Sequence, residues 1–203
     1  MKFTITKGFS DPERREIAAL YWDAFAQKLH YVLGPQTKAV SFIAAHLNPQ
    51  FALVARGPEN TILGVAGFKT RQGALIDGSL RDIAKTYGWL AACWRAPLLA
   101  MVERELAEGV LLMDGICVAA QARGMGLGTA LLNAIKQEAA SQGLTSVRLD
   151  VISTNPRAHA LYQREGFKDI GQEALGPFKY VFGFESSTKM LCPVTPDTAA
   201  PTL

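Results

Sequence analysis

The chain has 203 residues, 49% of them hydrophobic, and a formal net charge of +3. This length suits one domain whose core needs no disulfide or metal to hold it together. The charges are scattered, without a run of five like charges or an alternation of aromatic and basic residues, so nucleic acid is not an expected partner.

Cysteine usage and hydropathy indicate where in the cell the protein is expected to lie. Cys93, Cys117 and Cys192 are an odd number, lie far apart and lack metal-ligand spacing, which predicts reduced thiols in a cytoplasmic protein. The N-terminus lacks the apolar core of a signal peptide, so export is not expected. The most apolar stretch, Gly88 to Val102, contains Arg95 and is shorter than the roughly 20 residues of a membrane span. We therefore expect a buried helix there and no membrane partner.

The first part of the chain predicts a strand, two helices and a hairpin. Ser10-Asp11-Pro12 has the chemistry of a helix start, and Gly34-Pro35 interrupts the helical pattern. The turn Gly57 to Asn60 joins two apolar runs, which makes an antiparallel hairpin the simplest interpretation. The predicted elements are a short strand around Phe3 and Ile5, helices from about Pro12 to His30 and over Gln36 to His46, and strands at Phe51 to Arg56 and Thr61 to Lys69.

Residues 78–109 predict an inserted pair of helices, because Ser79 and Asp82 have capping-box spacing and Pro97 suits the first turn of a second helix. Strand and helix then alternate, which predicts a crossover between parallel strands. The predicted elements are a strand at Leu111 to Val118, a helix at Gly126 to Gln142, a strand at Ser146 to Ile152, a helix from Asn155-Pro156 to about Glu165, and closing strands within GFKDIG (166–171) and KYVFGFE (179–185). The tail from Ser186, rich in Thr and Pro, is predicted to be disordered.

Gly124, Gly126 and Gly128 stand between a predicted strand and a predicted helix. Unpaired amides at the positive end of a helix dipole bind phosphate oxygens, and glycine both lets a phosphate approach and permits positive φ. Arg123 adds positive charge beside them. A P-loop would require a lysine followed by Ser or Thr after the last glycine, but Thr129 stands there instead, so that interpretation fails.

Two other interpretations of the glycines stay open on the loop alone. A dinucleotide-binding Rossmann turn is favoured by Asp150, about 20 residues further on, where a carboxylate would hold a ribose. The GxGxG spacing and the five residues from Ala119 to Arg123 before the first glycine count against it. The other interpretation is a plain strand-to-helix connection with glycines for close packing.

Two motifs taken together give a resemblance to a known family. V-x-x-Q-x-R-G-x-G-x-G-T runs from Val118 to Thr129, and N-P-x-A-x-x-L-Y-x-x-x-G-F runs from Asn155 to Phe167. Their combination resembles the GNAT superfamily of acyl-CoA-dependent N-acetyltransferases, most clearly over residues 111–171. The resemblance implies an α/β fold with a central splayed mixed β-sheet flanked by helices and a helical insert before the cofactor strand. It implies one acetyltransferase domain over residues 1–185 and a tail over 186–203.

The resemblance also implies the roles of individual residues towards acetyl-CoA, the co-substrate. Backbone groups of Ile116, Cys117 and Val118 would bind the pantetheine arm, Asn155 would contact the cofactor, and Tyr162 would protonate the departing CoA thiolate. The pyrophosphate would be held by Arg123, Gly124, Met125, Gly126, Leu127 and Gly128, with Thr129 at the helix start.

Acetylation of an amine also requires a proton acceptor, because a lysine-like amine has a pKa near 10.4. Asp114, an ionisable residue in an apolar strand, is the first candidate, and a backbone bulge near Gly115 is its alternative explanation. Glu103, Glu105 and water are weaker candidates. Aromatic residues of the first helix and of the insert either line an acceptor pocket or belong to the core. They are Tyr21, Phe25, Tyr31, Tyr87, Trp89 and Trp94.

The sequence therefore predicts a cytoplasmic N-acetyltransferase that moves an acetyl group from acetyl-CoA directly to a primary amine of a small molecule or protein. The alternatives are a non-catalytic acyl-CoA sensor and a Rossmann-type NAD-binding protein. A homodimer is possible on the resemblance, and no metal site is expected because metal-ligand spacing is lacking.

Overall fold

A computed structural model describes residues 2–102 and 106–196, with eight strands and seven helices in those ranges. The strands are β1 (Thr4–Lys7), β2 (Ala52–Arg56), β3 (Ile62–Thr70), β4 (Gly73–Ala74), β5 (Val110–Val118), β6 (Ser146–Ile152), β7 (Lys168–Ala174) and β8 (Ser186–Pro193). The helices are α1 (Arg14–Leu33), α2 (Gln36–His46), α3 (Leu80–Tyr87), α4 (Trp89–Val102), α5 (Leu127–Ser141), α6 (Pro156–Arg164) and α7 (Lys179–Phe182).

All eight strands belong to one mixed sheet, in the order β1-β2-β3-β5-β6-β8-β7 with β4 added to β3. Strands β5 and β6 are parallel and are joined through α5, whereas the other pairs are antiparallel. The predicted hairpin of β2 and β3 and the predicted parallel crossover are both confirmed. A dinucleotide-binding domain is built on a mostly parallel sheet, so the Rossmann interpretation is wrong.

Helices α1 and α5 cover opposite faces of this sheet. A side chain at Gly64 on β3 would touch Leu131 of α5, whereas one at Gly115 on β5 would collide with Phe25 of α1. Gly115 pairs with Gly67, which is three residues from Gly64 on the same strand. Because side chains alternate between faces along a strand, the two helices sandwich β3 and β5, and the core fills both interfaces.

The helical insert is confirmed, with one correction. Ser79 caps α3 as predicted, its backbone N–H donating to Asp82 Oδ2 at 3.0 Å. Pro97 does not open the second helix, because α4 begins at Trp89, directly after Gly88 turns the chain with φ +85°. The glycine, rather than the proline, determines where the second helix starts.

The predictions for the C-terminal segment were wrong in two places. Residues 179–185 form α7 and a turn instead of a strand, because Phe182 and Phe184 pack together with Val32 of α1. The supposedly disordered tail forms β8, which lies between β6 and β7 and buries Met190 and Cys192. Strand β8 forms ladder hydrogen bonds on both of its edges and buries alternate side chains near its end, and these interactions stabilise it as a strand despite its polar composition. Residues 197–203 of the predicted tail lie outside the described residues.

An ion pair between Glu13 and Arg56 fastens the start of α1 to β2. The Glu13 carboxylate accepts hydrogen bonds from the Arg56 guanidinium and from the Ser10 backbone, and both charged side chains are largely buried. The hydrogen bond from Arg56 is the largest of the causes that lower the pKa of Glu13 from its usual value near 4.5 to about 2. Ionised Glu13 therefore stabilises the folded chain.

We expect Glu13→Gln to lower the free energy of unfolding by about 2 kcal/mol at pH 7. Because the folded pKa is depressed, the wild-type advantage is complete above pH 4.5, falls between pH 4.5 and 2, and vanishes below. Urea unfolding of both proteins across this pH range measures the difference in the free energy of unfolding. Asp11→Asn, which removes an exposed pair with Arg14 at 2.8 Å, is the control and should cost under about 0.5 kcal/mol. An equal cost for both variants would contradict the prediction.

Candidate active site

The parallel strands β5 and β6 are paired only at their beginnings. The ladder consists of three pairs, Val110 with Ser146, Leu111 with Val147, and Leu112 with Arg148. Both strands continue towards their carboxyl ends without further pairing to each other in the described chain. The sheet is therefore splayed, as the resemblance implied, and the edge of β5 beyond Leu112 forms no ladder with β6 in the described chain.

A β-bulge lies in the part of β5 that is paired with β3 but not with β6. Gly67 of β3 pairs with Gly115, and the next residue, Phe68, pairs with Met113, so Asp114 is the extra residue. A bulge bends its strand and re-aims the side chains around it. The sequence offered two explanations for Asp114, a backbone bulge and a proton acceptor. The bulge is now established, and it does not exclude a role in proton transfer.

The bulge is covered by aromatic residues of α1. A Cβ atom at Gly115 would lie 2.3 Å from Cζ of Phe25, so only glycine allows the ring to approach this closely. The Phe25 ring is itself in contact with Tyr21, with 4.5 Å between ring centroids. Of the six predicted acceptor-site aromatics, Phe25 therefore lies against the strand that bears Asp114, and Tyr21 packs beside Phe25.

The other four aromatics are placed elsewhere. The Tyr87 hydroxyl donates a hydrogen bond to the Leu33 carbonyl at the end of α1, which makes it an anchor for the insert. Tyr31, Trp89 and Trp94 are exposed side chains. The six aromatics do not form one pocket.

The glycine loop joins the open end of β5 to α5. Gly124 and Gly126 have φ values of +79° and +78°, and Gly126 is the N-cap of α5. A Cβ atom at either glycine would meet nothing within 4 Å, so backbone conformation, rather than internal crowding, requires glycine here. The exposed Arg123 precedes them. The loop thus presents a helix N-terminus and a cation outward, as a phosphate-binding loop requires.

The third glycine of the motif has a different role. A Cβ atom at Gly128 would lie 3.1 Å from Cδ2 of Leu161 in α6. The first turn of α5 is therefore packed against α6, one residue from Tyr162. This contact brings together the two sequence motifs, which are separated along the chain by β6.

Helix α6 carries the other two predicted site residues. The Asn155 side chain caps the helix, its Oδ1 accepting from the Ala158 backbone N–H at 3.1 Å. Tyr162 is half-buried, packs against the main core and lies with its ring centroid 6.0 Å from that of Phe167. Their contacts with acetyl-CoA stay predictions, and a capping role is now established for Asn155.

Cys117 is not suited to nucleophilic chemistry. Its side chain is buried and donates a hydrogen bond to the Val65 carbonyl at 3.4 Å, and burial raises the pKa of the thiol to about 12. The thiol therefore stays protonated at neutral pH. The role predicted for Cys117, Ile116 and Val118 uses their backbone on the edge of β5, and it stays a prediction.

Sequence reasoning missed a polar pair on β6. Arg148 Nε lies 3.4 Å from Asp150 Oδ1, and the Asp150 side chain is only 6% exposed. Arg148 pairs with Leu112, the last residue of β5 before the strands separate. Charged residues two positions apart in a buried strand share one face, and this spacing was the available signal. Asp150, considered above as a ribose ligand, instead forms an ion pair within the sheet.

His159, the two glutamates of the insert, metal ligands and membrane spans remain to be placed. His159 lies 3.0 Å from Asp169 and links α6 to β7. Glu103 and Glu105 lie outside the described residues. Within residues 2–102 and 106–196 there is no cluster of three or more His, Cys, Asp or Glu side chains that could hold a metal ion, and no helix long and apolar enough to cross a membrane.

Solved structures share this architecture. A GCN5-related N-acetyltransferase from Kribbella flavida is 19% identical, with a TM-score of 0.64 over 95% of this chain and 98% of that one. A SpeG spermidine N-acetyltransferase chimera from Vibrio cholerae and hSSAT is 15% identical, with a TM-score of 0.62 over 95% and 96%. Ard1 from Thermoplasma volcanium is 16% identical, with a TM-score of 0.59 over 96% and 99%. These likenesses establish the fold.

The sequence comparison establishes the family. A search of curated protein sequences found no match. The model of the acetyltransferase (GNAT) family, however, matches residues 9–167, which include the bulged strand, the glycine loop and the whole Tyr162 motif. The chain therefore belongs to the GNAT family and is an N-acetyltransferase that takes its acetyl group from acetyl-CoA.

Proposed function

We propose that the acetyl group passes directly from acetyl-CoA to a primary amine of a small molecule or protein, in the cleft between β5 and β6. The observation that supports this site most strongly is the separation of the two strands after the pair of Leu112 and Arg148. It exposes a strand edge that leads directly to the glycine loop. A single extended ligand with an amide-bearing arm and a diphosphate matches both features.

In this proposal the open edge of β5 at Ile116, Cys117 and Val118 pairs with the amides of the pantetheine arm. The loop from Arg123 to Thr129 holds the pyrophosphate through the backbone N–H groups at the start of α5. The positive φ values of the loop and its open surroundings support this role. Asn155, at the start of α6, completes the cofactor side.

The acceptor amine enters from the side of α1. Asp114 takes a proton from the ammonium, so that the neutral nitrogen attacks the carbonyl carbon of the thioester. A backbone N–H near Cys117 or Val118 stabilises the negative charge that develops on the carbonyl oxygen. As the carbon–sulfur bond breaks, Tyr162 donates its phenolic proton to the thiolate, and the former amine nitrogen releases its remaining extra proton to solvent, which leaves a neutral amide. The amide product and CoA thiol leave, and proton exchange with solvent restores Asp114 and Tyr162.

The position of Asp114 supports its role. It is the bulged residue of the strand that would carry the thioester, and Phe25 packs on the adjacent Gly115. Asp114 is half-buried beside this ring, and partial shielding from water favours proton transfer between the acceptor and a fixed carboxylate.

We also propose that the enzyme acts in the cytoplasm and, on family resemblance, as a homodimer. The described cysteines form no disulfide, and the exposed Cys93 thiol fits a reducing compartment. Sedimentation equilibrium would measure the oligomeric state.

Thiol release from acetyl-CoA tests the proposed reaction. Purified protein is assayed against aminoglycosides, polyamines, amino acids, aromatic amines and lysine peptides, and both substrates are varied for the best acceptor. Direct transfer predicts intersecting double-reciprocal lines. Parallel lines would indicate an acetylated enzyme and would contradict direct transfer. Thermal stabilisation by acetyl-CoA without turnover on any class would instead favour the non-catalytic sensor.

A further inference from the structure

Helix α4 of the insert presents an apolar face to the outside. Trp89, Leu90, Cys93 and Trp94 follow the spacing of one helical face, and all four are exposed. The exposed fractions are 65% for Trp89, 92% for Leu90 and 46% for Trp94, whereas Ala92 on the other side is fully buried. A helix on a globular domain normally buries its apolar side chains. We call these four residues the α4 face.

The described residues around the α4 face carry more positive than negative charge. Arg95 lies over the Trp94 ring, 4.2 Å from its centroid, and donates to the Val32 carbonyl at 2.8 Å, which fixes it at the border of the face. Arg81 and Lys85 are exposed on the neighbouring α3. The one carboxylate on that helix, Asp82, accepts hydrogen bonds from Ser79 and lies 3.6 Å from Lys85 Nζ. The three cations Arg81, Lys85 and Arg95 therefore exceed the carboxylates of these two helix segments by two charges. A partner of this surface must therefore combine apolar and anionic character.

We propose that the α4 face binds the surface of an anionic lipid bilayer. Trp89, Leu90 and Trp94 enter the boundary between headgroups and acyl chains, while Arg81 and Lys85 face the lipid phosphates. Exposed tryptophan and leucine beside arginine and lysine are the composition of interfacial helices. This contact lies on the insert, and it does not depend on the proposed reaction.

Two physical arguments favour a bilayer over a protein partner. Leu90 protrudes almost free of contacts, and fluid lipid accommodates a protruding side chain without a matching pocket, whereas a protein partner must provide one. A second copy bound through a twofold axis would place the α4 face against itself. It would thereby bring the cations of Arg81, Lys85 and Arg95 close to their own copies, which is unfavourable.

This proposal differs from the sequence expectation of a buried helix and no membrane partner. That expectation rested on length, because a span requires about 20 apolar residues. A helix that lies in the plane of the interface has no such requirement. The burial pattern of α4, which sequence alone did not reveal, separates the two cases.

Vesicle sedimentation tests the proposal with the full chain. We expect at least tenfold stronger partitioning to vesicles of phosphatidylcholine with phosphatidylglycerol than to phosphatidylcholine alone. Leu90→Glu should reduce partitioning to the anionic vesicles at least tenfold. Ile170→Glu is the matched control, since it replaces another exposed aliphatic residue, 55% exposed on β7, with the same change in charge. It should retain most of the binding.

Tryptophan emission provides a second measurement. Trp22 is buried in the core, so a blue shift on adding anionic vesicles, or quenching by brominated lipid, reports on Trp89 and Trp94. Three results would overturn the proposal: no partitioning of the wild type, equal loss in both variants, or self-association without vesicles that Leu90→Glu abolishes. The last would identify a second copy of the chain as the partner.

Discussion

Replacing Tyr162 with phenylalanine is expected to lower kcat for acetyl transfer by about 100-fold, while the KM for acetyl-CoA changes little. Loss of a positioned general acid typically costs at least this factor. The phenyl ring keeps its packing against the core and Phe167, so the folded state should be retained. The loss therefore falls on the step in which the thiolate departs. Thiol release at saturating acceptor measures kcat.

Two controls make the result specific to the leaving group. Tyr180→Phe removes a hydroxyl from a tyrosine that is 79% exposed on α7, and it should leave kcat unchanged. A more acidic thiol needs less protonation as it leaves. With an acetyl thioester of such a thiol, the kcat of Tyr162→Phe should therefore lie closer to the kcat of the wild type. Full turnover by Tyr162→Phe would remove Tyr162 from the mechanism. An equal loss with both thioesters would assign it a packing role.

Local chemistry explains what was predictable about the site. The glycine spacing predicted positive φ in the loop, and Gly124 and Gly126 have it. Strand and helix alternation predicted a parallel pair, and β5 and β6 are that pair. Turn geometry and crossover connectivity depend on short segments and general handedness rules, which a single sequence contains.

Features that depend on contacts between distant segments were not predictable. Glycine at Gly115 is required by Phe25, which is 90 residues away in the chain and packs against it. The ladder between β5 and β6 ends at the pair of Leu112 and Arg148, and no local pattern in either strand marks that point. Strand β8 was misread for the same reason, since its two ladder partners, and not its composition, make it a strand.

For the insert, the predicted secondary structure is correct but the predicted burial is wrong. Apolar residues from Trp89 onwards predicted a helix, and α4 is one. The same residues predicted burial, but Leu90 is 92% exposed. Periodicity shows which residues share a face of a helix, whereas the tertiary arrangement decides whether that face meets the core. Function attached to such a face cannot be deduced from hydropathy alone.

Replacing Gly126 with alanine is expected to weaken CoA binding at least tenfold and to destabilise the fold by about 1–2 kcal/mol. The stability cost arises because Gly126 has φ +78°, a left-handed conformation that is unfavourable for alanine by that amount. The loss of affinity has another cause. A methyl group at the N-cap of α5 would project beside the amides proposed to hold the pyrophosphate, and would keep the phosphate oxygens at a distance.

Gly143 provides a matched control at the opposite end of the same helix. It has φ +70°, and like Gly126 it would place a Cβ atom in open space. Gly143→Ala should therefore carry a similar stability cost, measured by urea unfolding, with CoA affinity unchanged by calorimetry. Equal affinity for CoA in wild type and Gly126→Ala would contradict a pyrophosphate site at this loop. An equal affinity loss in both variants would show that backbone strain weakens binding indirectly, because Gly143 lies at the far end of α5.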